Sequence, residues 1–383
     1  MSSFSDIIDK YDWDTITKNI LKKTDSDVRN ALWAARNRGI SGNISLEHFM
    51  ALVSPAAFPY IDEMVHLSHN LTIKRFGKTV KLFTPMYLSN ECQNICNYCG
   101  FSVNVNIKRK TLNEEEIIKE SEIIKKLGYN HVLLVTGESN RRVGIEYLSI
   151  VIKKIRPLFS NISLEVQPME EEDYRTLIGL GVNAVLVYQE TYNKRNYNKH
   201  HPKGRKSDFI YRLNTHDRLG RSGICKIGLG VLLGLEDWRT DSVFCAAHLK
   251  YLEKKYWKSK YSISFPRLRP HRSPDEMNNY IENKFSLTDK ELVQLICAYR
   301  LFNEDVELTL STRESELFRD HAIYFGITHL SGDSKTNPGG HIYGEDSLEQ
   351  FEVSDKRLGK KLAKVIAESG YDPVWKDWDK VYD

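Results

Sequence analysis

Three cysteines lie within eight residues, in Ser89-Asn-Glu-Cys92-Gln-Asn-Ile-Cys96-Asn-Tyr-Cys99-Gly-Phe101. The C-x₃-C-x₂-C spacing on a polar stretch lets three thiolates converge on one soft metal centre. A closed structural zinc site needs four ligands, and no further Cys or His stands nearby to supply the fourth. A four-iron, four-sulfur cluster makes different sense, because one of its irons keeps no protein ligand and can bind a chelating substrate. A disulfide with a spare thiol and an incidental grouping are the plainer alternatives. A reducing compartment weighs against the first and the tight spacing against the second. Cys225, Cys245 and Cys297 are scattered through apolar segments and read as buried small hydrophobes.

Other polar groups cluster at the ends of short apolar runs. Thr136-Gly137-Glu138 offers a close backbone approach and a carboxylate, or alternatively a helix-capping turn. Glu165 and Gln167 are two residues apart, so strand alternation sends both toward one face. Glu190 closes Tyr188-Gln-Glu-Thr191, and Arg212 follows on a helix, where a surface ion pair is the bland reading. Arg313, in Ser311-Thr-Arg-Glu314, suits bidentate capture of an amino-acid carboxylate, with Ser311 and Ser334 as secondary candidates and Arg269 as a further one. A helix-start ion pair between Arg313 and Glu314 is its alternative. Gly228 and Gly230 leave room on one strand for a flat ring, to which Tyr98 could also present itself. The basic runs Lys108–Lys110 and His200–Lys206 read as solvated loops, and His200 and His201 lack companions for a metal site.

The elements that must carry these groups alternate regularly. Strands are expected at Val80–Tyr87, His131–Thr136, Ile162–Gln167, Ala184–Tyr188, Ile227–Leu233, Tyr261–Phe265, Val306–Leu310 and Ile327–Leu330. Helices separate them at Asn113–Leu127, Gly144–Phe159, Glu170–Leu180, Ser207–Ser222, Asp241–Trp257, Thr288–Asn303 and Glu314–Phe325. Eight strands and seven helices over about 250 residues make an α/β fold, a parallel (β/α)₈ barrel, with an open doubly wound sheet as runner-up. A barrel places chemistry at the C-terminal strand ends, where the candidate groups lie. Residues 1–79 read as a helical extension with Thr24 and Ser45 as caps, residues 80–331 as the barrel, and residues 332–383 as a loop, a helix near Asp355–Ser369 and a tail whose Trp375 and Trp378 dock as packing.

Composition excludes other classes. The 383 residues carry 55 Lys+Arg against 51 Asp+Glu, a net charge of +4, which does not suit a dedicated nucleic-acid binder. No apolar run approaches the roughly 20 residues of a membrane span. The opening MSSFSDIIDKYDWD lacks the form of a secretory signal, so a soluble cytoplasmic protein is expected.

A C-x₃-C-x-aromatic-C motif after the first strand of a barrel resembles the signature of radical S-adenosylmethionine (radical SAM) enzymes. The resemblance extends over nearly the whole chain through YLSNECQNICNYCGFS, IKRKTLNEEEI, LLVTGE, LEVQPM, VYQETY, DRLGRSGICKIGLGVLLGL, YSISFPRLRP, LSTRES, SKTNPGG and PVWKDWD. Together these resemble the tyrosine lyase family of bacterial thiazole biosynthesis, the 2-iminoacetate synthases (ThiH). The resemblance implies a [4Fe–4S] cluster on Cys92, Cys96 and Cys99. It implies SAM held by Tyr98, Gly137, Glu138, Glu165, Gln167, Glu190 and Arg212: Glu138 on the methionine amine, the next strand ends on ribose and sulfonium, and Arg212 on the carboxylate. Thr136 stands where the family usually has glycine, a mild departure. Arg313 becomes the anchor for tyrosine.

The reaction implied is cleavage of the Cα–Cβ bond of L-tyrosine to 2-iminoacetate (dehydroglycine) and p-cresol, with methionine and 5′-deoxyadenosine. Reduction by a flavodoxin or ferredoxin, and delivery of the hydrolysis-prone imine to thiazole synthase, are implied by the same resemblance. The rivals are the tyrosine lyase of hydrogenase maturation, the tryptophan lyase of antibiotic biosynthesis and the deazaflavin synthases. The first carries extra cluster cysteines in a C-terminal domain, whereas no cysteine follows Cys297 here. An iron–sulfur electron carrier, the distant alternative, has no need of polar motifs at successive strand ends.

Overall fold

Residue type and burial explain the strands. His131–Thr136 is buried along its whole length, as a parallel strand covered on both faces must be. The computed structural model describes residues 3–38, 44–269, 285–344 and 350–376. Eight strands, β1 (Thr79–Ser89), β2 (His131–Thr136), β3 (Asn161–Glu165), β4 (Ala184–Leu186), β5 (Lys226–Gly230), β6 (Lys260–Ser264), β7 (Glu307–Leu310) and β8 (His329–Ser331), pair in parallel in sequence order. Pairing of β1 with both β8 and β2 closes the ring, so the barrel prevails over the open sheet. A short β9 (Asp372–Val374) adds to β1 outside the ring, with Thr79 opposite Asp372. Its three residues include Pro373, which an edge strand tolerates and which hid it from any periodicity.

After a single turn at Ser5–Ile8, the longer helices before the barrel are α1 (Trp13–Leu21), α2 (Asp25–Arg36), α3 (Leu46–Val53) and α4 (Ile61–Phe76). Thr24 and Ser45 cap α2 and α3 reciprocally with Asp27 and His48. The barrel helices are α5 (Glu114–Leu127), α6 (Ile145–Ile155), α7 (Glu171–Gly179), α8 (Thr215–Ser222), α9 (Trp238–Lys255), α10 (Asp289–Phe302) and α11 (Glu316–Ala322), followed by α12 (Gly359–Glu368). The helix expected over Ser207–Ser222 is broken into a turn at Arg205–Ser207, a short helix at Phe209–Leu213 and α8. The N-terminal helices pack against α9 and α10, and Asp12 and Asp14 reach Arg195 in the loop after β4. No described helix is long and apolar enough to cross a membrane.

Alternation along the strands divides the interior in two. Leu82, Met86, Leu88, Val132 and Leu134 face the helices and join the main core. Phe83, Tyr87, Leu133, Val135, Ala184 and Leu186 form a second apolar cluster. Five of these, Phe83, Tyr87, Leu133, Val135 and Leu186, line a cavity with Arg313. Across β1, β5, β7 and β8, Glu307 takes Lys81 at 3.2 Å, His329 at 3.4 Å and Lys226 on its carboxylate. Cys245 and Cys297 are buried as expected, but Cys225 is exposed, because it precedes β5 rather than lying within it.

Burial alone would raise the Glu307 carboxyl, but His329, Lys226 and Lys81 outweigh it and hold the group far below the usual carboxylate range. Glu307→Ala leaves these cations without their anion and is expected to cost about 3 kcal/mol, read as a lower urea midpoint. A depressed folded pKa means this stabilisation is complete above about pH 4.3 and is lost progressively as the pH falls below that toward the folded pKa, so the deficit of the variant follows the same course.

Candidate active site at the barrel mouth

The cysteine loop is built by its own polar groups. Arg109 donates to the carbonyls of Asn90, Phe101, Ser102 and Val105, tying the loop's two ends together. The Ser102 hydroxyl accepts from the Cys96 amide at 3.0 Å. The turn after β2 crosses the loop so closely that a Cβ on Gly137 would stand 2.4 Å from the Glu91 carbonyl oxygen. Gln93 donates its amide to the Glu138 carbonyl at 2.9 Å, which fixes the crossing. Cys92, Cys96 and Cys99 line one cavity of about 590 Å³. Burial pushes the Cys92 thiol up and the Cys96 thiol well up, so metal binding there releases protons.

The wall opposite the thiols is charged. Glu138 accepts from Arg212 Nη1 at 2.8 Å and from Asn94 Nδ2 at 2.8 Å. Glu190 accepts from Lys206 Nζ at 2.7 Å, with Arg212 at 3.6 Å. Two carboxylates therefore face two cations, and removing any one would strand a buried charge. Burial works against Glu138, yet Arg212 and Lys206 outweigh it and keep its carboxyl below the ordinary value. Glu190 has a φ of +70°, rare for a residue with a side chain.

A cavity of about 650 Å³ adjoins this one, sharing Val135, Glu165, Leu186 and Tyr188. It is walled by Phe83, Tyr87, Leu133, Phe265 and Phe351, with Ser311, Arg313 and Ser334 at its polar end. The Arg313 guanidinium stacks on the Phe351 ring at 3.4 Å. Among the described residues no carboxylate lies within ion-pairing distance of Arg313, because Glu314 pairs with Arg267 and Arg269 instead. The expected alternative, an Arg313–Glu314 pair, is therefore absent among the described residues. Glu165 touches both cavities, and burial raises its carboxyl to about 7 against the pull of Arg313.

Several expectations need correction. Gln167 lines a small adjoining cavity together with Glu138, Lys206 and Arg212 rather than the cysteine cavity itself, its amide donating to the Val143 carbonyl at 2.7 Å. Arg269 is held by Glu314 at 3.2 Å and lines neither large cavity. The room left by Gly228 and Gly230 is filled from within, since a Cβ would stand 2.4 Å from Leu186 Cγ and 2.8 Å from Tyr188 Cδ1. The run His200–Lys206 is no solvated loop. His200 pairs with Glu236 at 2.8 Å, His201 meets the Tyr98 hydroxyl at 2.8 Å, and Lys206 enters the site. The segment is pulled in because Ile95 and Asn97 donate their amides to the Lys203 and His200 carbonyls. The packing expected of the tail holds for Trp375, which meets Tyr129 at 5.0 Å; Trp378 lies outside the described residues.

The donor set fits an iron–sulfur cluster. Among the described residues no three His, Cys, Asp or Glu side chains are gathered tightly enough to cage a single ion. A cluster spreads its thiolates over separate irons, as three cysteines lining one cavity allow. A model of the radical SAM superfamily matches residues 86–246, and one of the Biotin and Thiamin Synthesis associated domain matches residues 264–372. Curated 2-iminoacetate synthases of Salmonella typhimurium and Escherichia coli are each 47% identical over 380 residues, covering 99% of this chain and 97% of theirs. The chain belongs to the 2-iminoacetate synthase family. As a member of this radical SAM family it uses a [4Fe–4S] cluster and SAM. Among solved structures, HydG, a maturase of the [FeFe]-hydrogenase, matches with a TM-score of 0.88 at 30% identity, over 94% of this chain and 80% of its own. Methylornithine synthase (PylB) matches at 0.74 and 17% identity, over 89% of this chain and 97% of its own, a likeness of fold alone.

Gly137→Ala forces the Glu91 backbone away and is expected to cost about 1–3 kcal/mol. Thermal unfolding should show a lower midpoint, and iron retained after anaerobic reconstitution should fall with it.

Proposed function

We propose that this chain cleaves the Cα–Cβ bond of L-tyrosine to 2-iminoacetate and p-cresol, with SAM converted to methionine and 5′-deoxyadenosine. The observation that carries this reading is an aromatic-walled cavity ending on Arg313, half-buried and without a carboxylate partner among the described residues, and sharing its wall with the cysteine cavity. When bound, the cluster and SAM supply a 5′-deoxyadenosyl radical. The chain's own residues hold the reactants in register. Cys92, Cys96 and Cys99 ligate the cluster. Glu138 and Glu190 suit the ammonium and sulfonium of SAM, while Arg212 and Lys206 suit its carboxylate. Tyr98 and Gly137 bound the same ligand, and Glu165 faces both ligands. Arg313 takes the carboxylate of tyrosine, with Ser311 and Ser334 beside it, and the apolar wall receives the phenol ring and excludes water.

The full-length 47% identity to 2-iminoacetate synthases favours this activity over that of HydG at 30%. In this reading residues 1–79 form a helical extension, 80–331 the radical SAM barrel, and 332–383 a loop, helix and tail packed on the barrel. A cytoplasmic location, a flavodoxin- or ferredoxin-type reductant and thiazole synthase as recipient of the imine complete the reading. The demand for a low-potential electron and the ready hydrolysis of an imine support the two partners.

Reconstituted protein given dithionite, SAM and tyrosine under anaerobic conditions should release p-cresol and 5′-deoxyadenosine. Consumption of tryptophan in place of tyrosine would overturn the substrate assignment. Cys96→Ala should abolish turnover. Arg313→Ala should raise the KM for tyrosine roughly 10- to 100-fold, the worth of a charge-assisted pair, while SAM cleavage without tyrosine persists. An unchanged KM rejects the anchor.

A further inference from the structure

The segment after residue 349 crosses the barrel mouth and touches both cavities. Its backbone is pinned to loops that follow β7 and β8. The Gln350 amide donates to the Thr336 carbonyl at 3.0 Å, and the Ser354 and Asp355 amides donate to the Thr312 carbonyl at 2.9 and 3.1 Å. The Thr336 hydroxyl donates to the Phe351 carbonyl at 3.1 Å, and Asp355 is gripped by Arg319 and Arg357. This anchoring fixes the Gln350 side chain in one place. Its Nε2 donates to Cys99 Sγ at 3.6 Å, and its Oε1 accepts from the Tyr87 hydroxyl at 2.8 Å.

The polarity of this chain of contacts is dictated by chemistry. A cluster-bound thiolate can only accept, so the amide must turn its NH₂ to Cys99 and its carbonyl to Tyr87. Tyr87 can answer only by donating. Burial raises its hydroxyl far above the ordinary phenol value, so it keeps that proton. Tyr87 is also a wall of the aromatic cavity, whereas Gln350 lines the cysteine cavity. A hydrogen bond to a cluster thiolate withdraws charge from the sulfur and favours the reduced cluster.

We propose that Gln350 is a positioning residue for the cluster: it raises the reduction potential through Cys99, and Tyr87 orients it, so that occupancy of the tyrosine cavity is felt at the metal. The inference rests on the proposed tyrosine cavity and on the cluster held by the three cysteines, but no part of its test requires lyase turnover.

The test is an EPR-monitored redox titration of the reconstituted full chain, with and without tyrosine, beside iron and sulfide analysis. Gln350→Leu keeps the volume and loses the donor, so its midpoint should be more negative than that of the native chain at equal iron and sulfide. Gln350→Glu, which turns an acceptor to the sulfur, should be lower still. Tyr87→Phe leaves the amide free to rotate and should fall between Gln350→Leu and the native chain. Tyrosine should shift the native midpoint and leave that of Tyr87→Phe unmoved. Native midpoints in both Gln350 variants overturn the tuning role. If those variants fail to load iron, a native midpoint in Tyr87→Phe overturns it equally. A tyrosine response that is absent from the native chain, or survives in Tyr87→Phe, overturns the relay. Absence of p-cresol with these shifts intact would instead count against the proposed lyase reaction alone.

Discussion

Two buried carboxylates set against two buried cations organise the top of this barrel. Glu138 comes from the end of β2 and Glu190 from just beyond β4, while Lys206 and Arg212 come from the segment that follows. None of the four could be buried alone without a heavy desolvation penalty. Their mutual neutralisation is what allows Lys206 to turn out of solvent while residues 200–203 lie on the cysteine loop. Asn94 joins the two, giving its amide to Glu138 and taking the Lys206 backbone N–H. The same four charges carry the SAM-binding role proposed for this wall, so in that reading one arrangement both folds the site and selects its occupant.

A contrast in the barrel interior supports that arrangement. Around Glu307 the inward positions are taken by a carboxylate and its cations, whereas Phe83, Leu133 and Leu186 surround a cavity. A parallel barrel of this size is normally packed through with side chains. Here Gly228 and Gly230 let Leu186 and Tyr188 lean across toward β5, which shapes the partition between the two cavities instead of a solid core.

Much of this was legible in the residues. Apolar runs bounded by polar strand ends located all eight barrel strands, because buried parallel strands have no polar face to blur the pattern. The cysteine spacing identified the cluster loop, barrel logic pointed to the strand ends at Glu138, Glu190 and Arg313, and the family resemblance singled out Glu190 there and added Arg212. Lys206 was not legible. It sits in a basic run whose neighbours are indeed exposed, and only the pairing of residues 95–97 with 200–203 turns it inward. Gln350 and Phe351 carried no signal either, since their role depends on a segment crossing from the far end of the chain. Gln167 is displaced from the cysteine cavity for another reason: strand β3 ends at Glu165, so alternation no longer governs the residue two places on.

The cover over the mouth has a consequence for the order of events in synthesis. Gln350 and Phe351 are made about 250 residues after Cys99. At ordinary translation speed that interval is on the order of 10–50 s. During it β2 through β8 are themselves still being made, so the cysteine loop is complete long before the segment that crosses it, and the mouth closes only late in synthesis.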